Sequence, residues 1–519
     1  MTKEMLEKIK MAVEDGALNR FLGHTYRGVQ LPPLGENLAS SRNLVTLDTR
    51  FSTNVYQKQP LVSANMLDLT ESRMAIRQAL EGGLGIIHRF GPPDHQASEA
   101  AITKRAHNFL IENPYTIKPA ATISEARNLM GQLGIGSLLV RDDSGKLIGL
   151  LTQRDVRFVP DEELVEDHMT ERKTGKEKRG GRYLVVATID EVLSIDQIIA
   201  KLKKHKVKKL PVVNADNFIV GLVSAKDIER LQKYPLANLD RKGNLVVGAA
   251  IGAVGDFIER SQELAKKNVD VIVMDVTSPN STTVKNAIRE FRRKLGDYEL
   301  AVGNIGTSEQ AHALIQEGVQ GLKIGLGPGG PCTTRLATGI GVEQLYAIPE
   351  VYWNLQVKYS YKPEQIPPLC ADGNIRAGCD IVHALIAGAS TVMVGTLFAG
   401  TEETPGEFYE KPEGRYKYYR GMASIEAAVA RFTAMGADDP IAEAMKKSPE
   451  GIPKEVKVRG SVSAVIHNLL GGVRSGISHR GVLSLEDFKK QNPFDFETGF
   501  HILSPEAQRE SYLRQEIEE

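Results

Sequence analysis

The sequence has 519 residues and a formal net charge of zero, because 65 Lys and Arg residues balance 65 Asp and Glu residues. A chain of this length exceeds what one hydrophobic core usually serves, which predicts two or more domains. The balanced charge argues against a protein that coats nucleic acid, and we expect no specific nucleic-acid partner. No apolar run reaches the length of a membrane-spanning helix, so we expect no membrane partner either.

Cysteine usage and the N-terminus predict the cellular compartment. The three cysteines are Cys332, Cys370 and Cys379, an odd and sparse set that indicates free thiols in a reducing compartment. The first sixteen residues are charged and helix-like and lack the apolar core of a signal peptide. We therefore expect a cytoplasmic protein.

Two apolar segments early in the chain predict strand–helix units. They are Pro60–Met66 and Gly82–His88, and each is followed by a helical pattern.

An internal repeat follows these units. The segment Thr122-Ile-Ser-Glu-Ala returns as Ser194-Ile-Asp-Gln-Ile, and Gly149-Leu-Leu-Thr152-Gln-Arg-Asp155 returns at the same offset as Gly221-Leu-Val-Ser224-Ala-Lys-Asp227. Each copy, over residues 113–168 and 183–236, predicts a helix, a strand, a turn, a second strand and a helix. The repeat predicts two similar units packed on each other. The charged, glycine-bearing stretch 170–182 between them predicts an exposed loop.

The second half of the chain alternates apolar strands with helices. Repeated strand–helix units predict a parallel sheet, and polar residues follow the strand ends, where a TIM barrel keeps its active site. A doubly wound sheet is the alternative, but the units share one polarity. We expect a TIM barrel built from residues 1–112 and 237–519, with residues 113–236 inserted. The predicted strands are Leu245–Ile251, Val269–Asp275, Leu300–Ile305, Leu322–Gly325, Leu369–Ala371 and Thr391–Gly395.

A glycine-dense segment from Gly325 to Arg335 carries Cys332, with threonine hydroxyls at the next two positions. Glycines let the backbone turn tightly and present its N–H and C=O groups to a ligand. A thiol held in such a loop is a candidate nucleophile. The alternative is a structural loop with an incidental cysteine.

Many separated motifs together resemble the IMP dehydrogenase and GMP reductase family along nearly the whole chain. The resemblance implies a TIM barrel, usually tetrameric or octameric, that acts on a purine nucleotide with a nicotinamide cofactor, NAD or NADP. The inserted repeat is similar to the paired CBS module of IMP dehydrogenases. The matching segments are Leu61–Met66, Glu81–His88, Gly303–Asn304, Gly325–Arg335, Ala371–Gly373, Val392–Gly395, Phe398–Gly406 and Tyr419–Met422.

The resemblance also implies roles for individual residues. Cys332 would attack C2 of the purine, and Thr334, Glu450 and Arg431 would handle protons on the attacking water. The implied substrate-binding residues are Ser63, Asn65, Met66, Gly330, Asp372, Gly373, Asn374, Gly395, Thr396, Tyr419, Gly421, Met422 and Ala423. The implied cofactor-binding residues are Asp275, Thr277, Asn304 and Gly325. Backbone carbonyls of Gly325, Gly327 and Cys332 would hold potassium, and Thr152, Asp155, Ser224 and Asp227 a regulatory adenine or guanine nucleotide.

Purely structural roles compete with some of these assignments. Asp275, like the four residues of the repeat, could cap a helix. Glu450 could be a solvated loop charge, and Tyr419 could belong to an aromatic packing patch.

Four segments depart from the family pattern. Gly329-Gly330-Pro331-Cys332 replaces Gly-Ser-Ile-Cys, so a phosphate-binding hydroxyl and an N–H are missing. Asp372-Gly373-Asn374 replaces Asp-Gly-Gly, and Asp275 to Asn280 lacks the usual histidines. Arg431-Phe432 is the nearest candidate for the family's usual Arg-Tyr pair, but phenylalanine lacks the phenol of tyrosine.

The sequence favours an IMP dehydrogenase. GMP reductase is the first alternative, and a catalytically altered nucleotide-sensing CBS protein is the second.

Overall fold

The structure is a computed structural model that describes residues 3–34, 41–106, 110–111, 114–172, 183–188, 191, 195–225, 228–229, 233–434, 436–446 and 448–516. The chain divides into two units, Met1–Ala106 with Leu236–Glu519, and His107–Pro235. The predicted insert spans 113–236, whereas the second unit begins at His107 and ends at Pro235.

Eight parallel strands close into a barrel in the first unit, which confirms the predicted TIM barrel. Their order around the barrel is Gly248–Ile251, Val271–Asp275, Leu300–Ile305, Gly321–Ile324, Leu369–Asp372, Thr391–Val394, Leu61–Ser63, Leu84–Ile87. Val, Ile, Leu, Met and Ala fill most positions and are buried, as expected for parallel strands covered on both faces. The strands are β1 (Leu61–Ser63), β2 (Leu84–Ile87), β3 (Gly248–Ile251), β4 (Val271–Asp275), β5 (Leu300–Ile305), β6 (Gly321–Ile324), β7 (Leu369–Asp372) and β8 (Thr391–Val394).

Helices surround this barrel, and many of them bury apolar residues in its core. Several begin at a side-chain cap, as where Ser281 accepts a hydrogen bond from the Val284 N–H. The helices are Lys3–Glu14, Ser72–Leu80, Pro93–Arg105, Phe257–Lys266, Thr282–Leu295, Ser308–Gln316, Thr334–Thr338, Gln344–Val357, Gly378–Ala387, Thr396–Ala399, Ile425–Ala434, Pro440–Met445, Val462–His479, Leu485–Lys489 and Pro505–Glu516. Short 3-10 helices occupy Ala17–Phe21, Tyr26–Gly28, Arg42–Leu44 and Pro363–Gln365.

Small antiparallel sheets lie outside the barrel. The largest has three strands, Tyr409–Lys411, Gly414–Arg420 and Pro453–Lys457. It places Tyr419 and, through the loop after Arg420, Gly421 to Ala423 near the carboxyl ends of the barrel strands. Two-stranded pairs join Val29–Gln30 to His501–Ile502 and Thr49–Arg50 to Tyr56–Gln57.

The second unit contains two four-stranded sheets, one from each copy of the repeat together with a flanking strand. Leu139, Leu150, Val213 and Leu222 belong to one apolar cluster that joins the copies. The first sheet has the order Thr170–Glu171, Leu147–Thr152, Ser137–Arg141, Thr116–Ile117, and the second Ala187–Thr188, Lys209–Val213, Ile219–Ser224, Leu110–Ile111. Helices occupy Ile123–Leu133, Val165–His168 and Ile195–His205.

The structure corrects two local predictions in this unit. Thr170 and Glu171 are not part of a loop, because they pair with Leu150 and Gly149 and extend the first sheet by one strand. Residues 173–182 of the predicted loop lie outside the described residues. In the first copy the second strand is followed by turns over residues 153–158 instead of the predicted helix. Pro160 prevents these turns from continuing into a helix.

None of the described helices is both long enough and apolar enough to cross a bilayer.

Candidate active site

A buried lysine occupies the centre of the barrel mouth. Lys323 on β6 is 2% exposed, and its ammonium lies 3.0 Å from Asp275 Oδ1 at the end of β4 and 3.0 Å from Asp372 Oδ2 at the end of β7. Gly303 on β5 makes room for this side chain, since a Cβ built on Gly303 would lie 2.4 Å from the Lys323 Cβ. One ammonium on β6 therefore forms ion pairs with carboxylates at the ends of β4 and β7.

Two amides complete this cluster. Asn65 Nδ2, just past β1, donates to Asp275 Oδ2 at 2.7 Å. Asn304 Nδ2, on β5, donates to Asp372 Oδ2 and to the Gly325 carbonyl, both at 2.9 Å. Each carboxylate thus keeps a fixed orientation at the floor of the mouth.

The pKa values in this cluster follow from burial and pairing. Burial acts to raise the pKa of Asp275, but the Lys323 ammonium and the Asn65 amide outweigh it and hold this pKa below its usual range. Burial acts to lower the pKa of Lys323, yet Asp275 and Asp372 raise it above the usual value. Asp275 and Lys323 therefore form an ion pair at neutral pH.

The predicted catalytic residues Cys332, Thr334 and Glu450 lie in one hydrogen-bonded chain. Cys332 Sγ lies 3.2 Å from Thr334 Oγ1, and the Thr334 hydroxyl donates to Glu450 Oε2 at 2.8 Å. Cys332 is partly exposed and free of disulfide bonds. A thiol connected through a hydroxyl to a carboxylate can lose a proton along that path.

Backbone hydrogen bonds hold this chain together across three segments of sequence. The Thr333 N–H donates to the Glu450 carbonyl at 2.8 Å, and the Ile452 N–H donates to the Pro331 carbonyl at 3.0 Å. The Glu450 N–H in turn donates to the Ala423 carbonyl at 3.0 Å, and the Gly421 N–H to the Ile452 carbonyl at 3.1 Å. Glu450 is partly buried and accepts a hydrogen bond from Thr334, which favours a place in the site over that of a solvated loop charge.

A second group of predicted residues meets beside the end of β8. Tyr419 is buried, and its hydroxyl lies 3.1 Å from Met66 Sδ and against Gly395, where a built Cβ would be 2.3 Å away. A Cβ on Gly330 would lie 2.6 Å from Thr396 Oγ1. The Thr396 hydroxyl therefore fills the space beside the glycine loop that a side chain at position 330 would need.

The remaining predicted residues lie around these two groups. Met422 Sδ lies 3.9 Å from Asn65 Nδ2, and Gly373 packs against Pro328 and Gly329. Asn374 adopts a positive φ of 60°. Gly325 and Gly327 begin the loop that leads to Cys332, both with positive φ.

Three predicted residues stand apart from these contacts. Ser63 is fully buried and accepts a hydrogen bond from the Thr70 hydroxyl at 2.9 Å. Thr277 is exposed two residues past β4. Arg431 lies in the helix Ile425–Ala434 with its guanidinium 4.6 Å from the Phe432 ring centre.

The predicted regulatory residues lie in the second unit. The Thr152 hydroxyl and N–H both donate to Asp155 Oδ2, at 2.7 and 2.8 Å, which closes a turn after the strand Leu147–Thr152. Ser224 ends the corresponding strand of the second copy. Asp227 lies outside the described residues.

Lys323 is the site residue that sequence reasoning missed. A charged residue within an apolar barrel strand, between two buried neighbours, was the available signal. Its partners lie on β4 and β7, and nothing in the local sequence identifies them.

Replacing Lys323 with Met should lower the free energy of unfolding by about 3 kcal/mol or more, because two carboxylates lose their counter-ion. Urea denaturation measures this. The double variant Lys323→Met/Asp275→Asn should recover part of the loss. Lys58→Met, which breaks an exposed pair with Asp48, should change the free energy of unfolding by less than about 1 kcal/mol. Equal losses in the two single variants would contradict a special role for Lys323.

Comparison with known proteins assigns this arrangement to a family. Residues 23–512 match the family described as "IMP dehydrogenase / GMP reductase domain". Inosine-5'-monophosphate dehydrogenase of Nitrosopumilus maritimus is 36% identical over 476 residues, which cover 91% of this chain and 95% of that protein. The enzyme of the same name from Aquifex aeolicus is 38% identical over 454 residues, covering 87% and 88%.

A solved structure is similar over the same extent. A Cys-to-Ala variant of GMP reductase from Trypanosoma brucei, in complex with guanosine 5'-monophosphate, aligns with a TM-score of 0.80 and 32% identity and covers 94% of this chain and 96% of that one. The family match spans both barrel segments and the second unit between them. The chain belongs to the IMP dehydrogenase and GMP reductase family.

Proposed function

We propose that this protein is an IMP dehydrogenase, which oxidises inosine 5'-monophosphate at purine C2 with a nicotinamide dinucleotide as hydride acceptor. The relatives compared above are named for that activity, and they align with about nine-tenths of this protein. The observation that carries the proposal is the chain from Cys332 through Thr334 to Glu450. These hydrogen bonds connect a nucleophile to a proton acceptor through the Thr334 hydroxyl.

The proposed reaction at the protein's own residues has two stages. The Cys332 thiolate forms a bond to C2, and the hydrogen on C2 departs with its electron pair, which leaves a thioimidate on Cys332. Water then attacks C2, its proton is removed, and the carbon–sulfur bond breaks to regenerate the thiol. The second stage needs an acceptor for the proton of the attacking water, and the hydroxyl of Thr334 leads to that acceptor, the carboxylate of Glu450.

Cluster residues at the end of β4 and on β5 suit the cofactor, NAD or NADP. Asn304 Oδ1 is buried without a hydrogen-bond partner, and Asp275 is a carboxylate at the mouth; both can accept hydrogen bonds from a ribose diol. We assign them, with Thr277 and Gly325, to the nicotinamide ribose. The bound dinucleotide supplies the hydride-accepting ring.

The nucleotide substrate would lie between the two groups of side chains. Asp372 would hold its ribose hydroxyls, Met422 would contact the base, and Thr396 and Tyr419 would donate to the phosphate with the backbone of Gly330 and Gly395. This assigns the phosphate to the loop beside β8, where the hydroxyl of Thr396 takes the place of the missing family serine. The remaining proposed contacts are Ser63, Asn65, Met66, Gly373, Asn374, Gly421 and Ala423.

A potassium ion is the proposed metal. The carbonyls of Gly325, Gly327 and Cys332 would bind it, and oxygen ligands suit a hard cation. The Gly325 carbonyl already accepts a hydrogen bond from Asn304, so cation binding at this loop would be coupled to the Lys323 cluster.

The second unit is proposed to be a pair of CBS domains. Its repeated sheets and the turn at Thr152 and Asp155 would hold a regulatory adenine or guanine nucleotide, with Ser224 and Asp227 in the second copy. We also propose a homotetramer or octamer. Free thiols at all three cysteines favour a cytoplasmic location.

Incubation with inosine 5'-monophosphate and NAD should produce NADH, followed by absorbance at 340 nm. Cys332→Ala should abolish this activity because no covalent bond to C2 can form. Cys379→Ala, a thiol on the outer helix Gly378–Ala387, is the matched control and should retain it. Consumption of NADPH with guanosine 5'-monophosphate instead would identify a GMP reductase, and undiminished activity of Cys332→Ala would rule out the covalent path.

Glu450→Gln should separate the two stages. An amide cannot take the proton of the attacking water, so steady-state turnover should fall by about 100-fold. A burst of NADH in the first turnover should persist if hydride departure needs Glu450 less than hydrolysis does. Rapid mixing measures both, and Glu455→Gln on the outer sheet is the control. Loss of the burst as well would show that Glu450 also deprotonates Cys332.

Restoring the family serine at position 330 should weaken substrate binding. The new Cβ would meet the Thr396 hydroxyl, so Gly330→Ser should raise the KM for inosine 5'-monophosphate about tenfold. The double variant Gly330→Ser/Thr396→Ala should recover most of the loss. Gly471→Ser, where a Cβ meets nothing within 4 Å, is the control. A lower KM in the single variant would contradict the assignment of Thr396 to the phosphate.

A further inference from the structure

Two arginines lie on the side of the barrel mouth formed by β2 and β3. Arg89 follows β2, and its side chain crosses the end of β3, where a Cβ built on Gly252 would lie 3.2 Å from Arg89 Nη1. Arg431 comes from the helix Ile425–Ala434. Both are partly buried, and they are near enough that the charge of Arg89 acts on Arg431.

These arginines lack counter-ions among the described residues. Neither forms an ion pair there within 4.0 Å, and the Nε atom of each is buried without a hydrogen-bond partner. Burial, and then the charge of Arg89, lower the pKa of Arg431. Two like charges at a partly buried site stabilise neither the fold nor each other. Such a pair suits an anion that can accept from both guanidinium groups.

Among the described carboxylates of the mouth, Asp275 and Asp372 are already paired with Lys323 and are not free to serve as that anion. Asp275 is the nearby acid whose pKa Arg89 lowers, but it already pairs with Lys323 and Asn65. Each arginine therefore keeps a buried Nε–H donor without a partner. Arg89 lies near enough to Asp275 for its charge to act there, and its strand β2 is two strands from β8, after which Thr396 follows. This separates Arg89 from the proposed substrate phosphate.

We propose that Arg89 and Arg431 bind the diphosphate of the dinucleotide cofactor. The inference rests on the proposed function, in which Asp275 holds the nicotinamide ribose. In a dinucleotide the group bonded to that ribose is the diphosphate, and Arg89 is the cation next to Asp275. Arg431 is then a binding residue and not a proton acceptor.

Calorimetric titration of the full chain with ADP-ribose, which carries the diphosphate but not the nicotinamide, tests this directly. The wild type should bind ADP-ribose, and Arg89→Met and Arg431→Met should each weaken binding about tenfold or more. Inorganic pyrophosphate should compete in the wild type. Arg89→Lys and Arg431→Lys should recover part of the affinity, and Arg459→Met, an exposed arginine elsewhere, should leave it unchanged.

Steady-state kinetics provide the second readout. In both Met variants the KM for NAD should rise while kcat and the affinity for inosine 5'-monophosphate stay close to those of the wild type. Unchanged ADP-ribose affinity would overturn the proposal. A fall in kcat at constant KM in Arg431→Met would instead assign that residue to proton transfer. A loss seen with NADP but not with NAD would move the site to the 2'-phosphate and also overturn it.

Failure of the proposed function gives a different result. A wild type without dehydrogenase activity that still binds ADP-ribose through both arginines would refute the reaction and leave the diphosphate site standing. If the wild type turns over normally and the arginine variants match it in every measurement, the diphosphate site is refuted and the proposed reaction stands.

Discussion

The ammonium of Lys323 between Asp275 and Asp372 organises the barrel mouth. A lysine buried to 2% exposure would be strongly destabilising alone, and it is tolerated because two carboxylates at 3.0 Å compensate its charge. The same contacts orient both carboxylates, which would otherwise repel each other across the mouth. The residues proposed to hold two different ribose rings therefore depend on one cation and on the missing side chain at Gly303.

The nucleophile is held differently, by loops and not by a strand. Cys332 follows a glycine-dense turn, and its neighbours Pro331 and Thr333 are hydrogen-bonded to Ile452 and Glu450, far along the sequence. The segment that supplies the proton acceptor thereby also fixes the backbone on either side of the thiol. Displacement of Glu450–Ile452 would disturb the relay and the nucleophile together, so the two cannot be uncoupled by moving that segment alone.

Sequence reasoning found the barrel because its signals are local. Runs such as Val269–Asp275 and Thr391–Gly395 are apolar and end in a polar or glycine residue, and the family motifs identified Cys332, Thr334 and Glu450. What it missed depends on packing between distant segments. The register of β5 against β6 sets Gly303 beside Lys323, and the loop after β6 meets Thr396, which explains how the missing serine at position 330 is compensated. Arg89 immediately follows the matched stretch Glu81–His88, but its unpaired Nε could be seen only when Gly252 and Arg431 were placed around it.

The charges of the mouth divide it into regions that suit different parts of a ligand. Around Lys323 the two aspartates exceed the single ammonium by one negative charge, which favours hydroxyl donors such as ribose diols. On the β8 side, neutral donors from Thr396 and Tyr419 face the glycine loop, whereas on the β2–β3 side Arg89 and Arg431 bring two positive charges. A nucleotide and a dinucleotide laid end to end present phosphate, ribose, base, nicotinamide, ribose and diphosphate in that order. In the proposed function the phosphate lies beside Thr396, the two ribose rings beside Asp372 and Asp275, and the diphosphate beside Arg89 and Arg431, which follows that order. This electrostatic arrangement would orient both ligands toward the sulfur before any bond is made, because reversing either ligand would bring a phosphate against the carboxylates of Asp275 and Asp372.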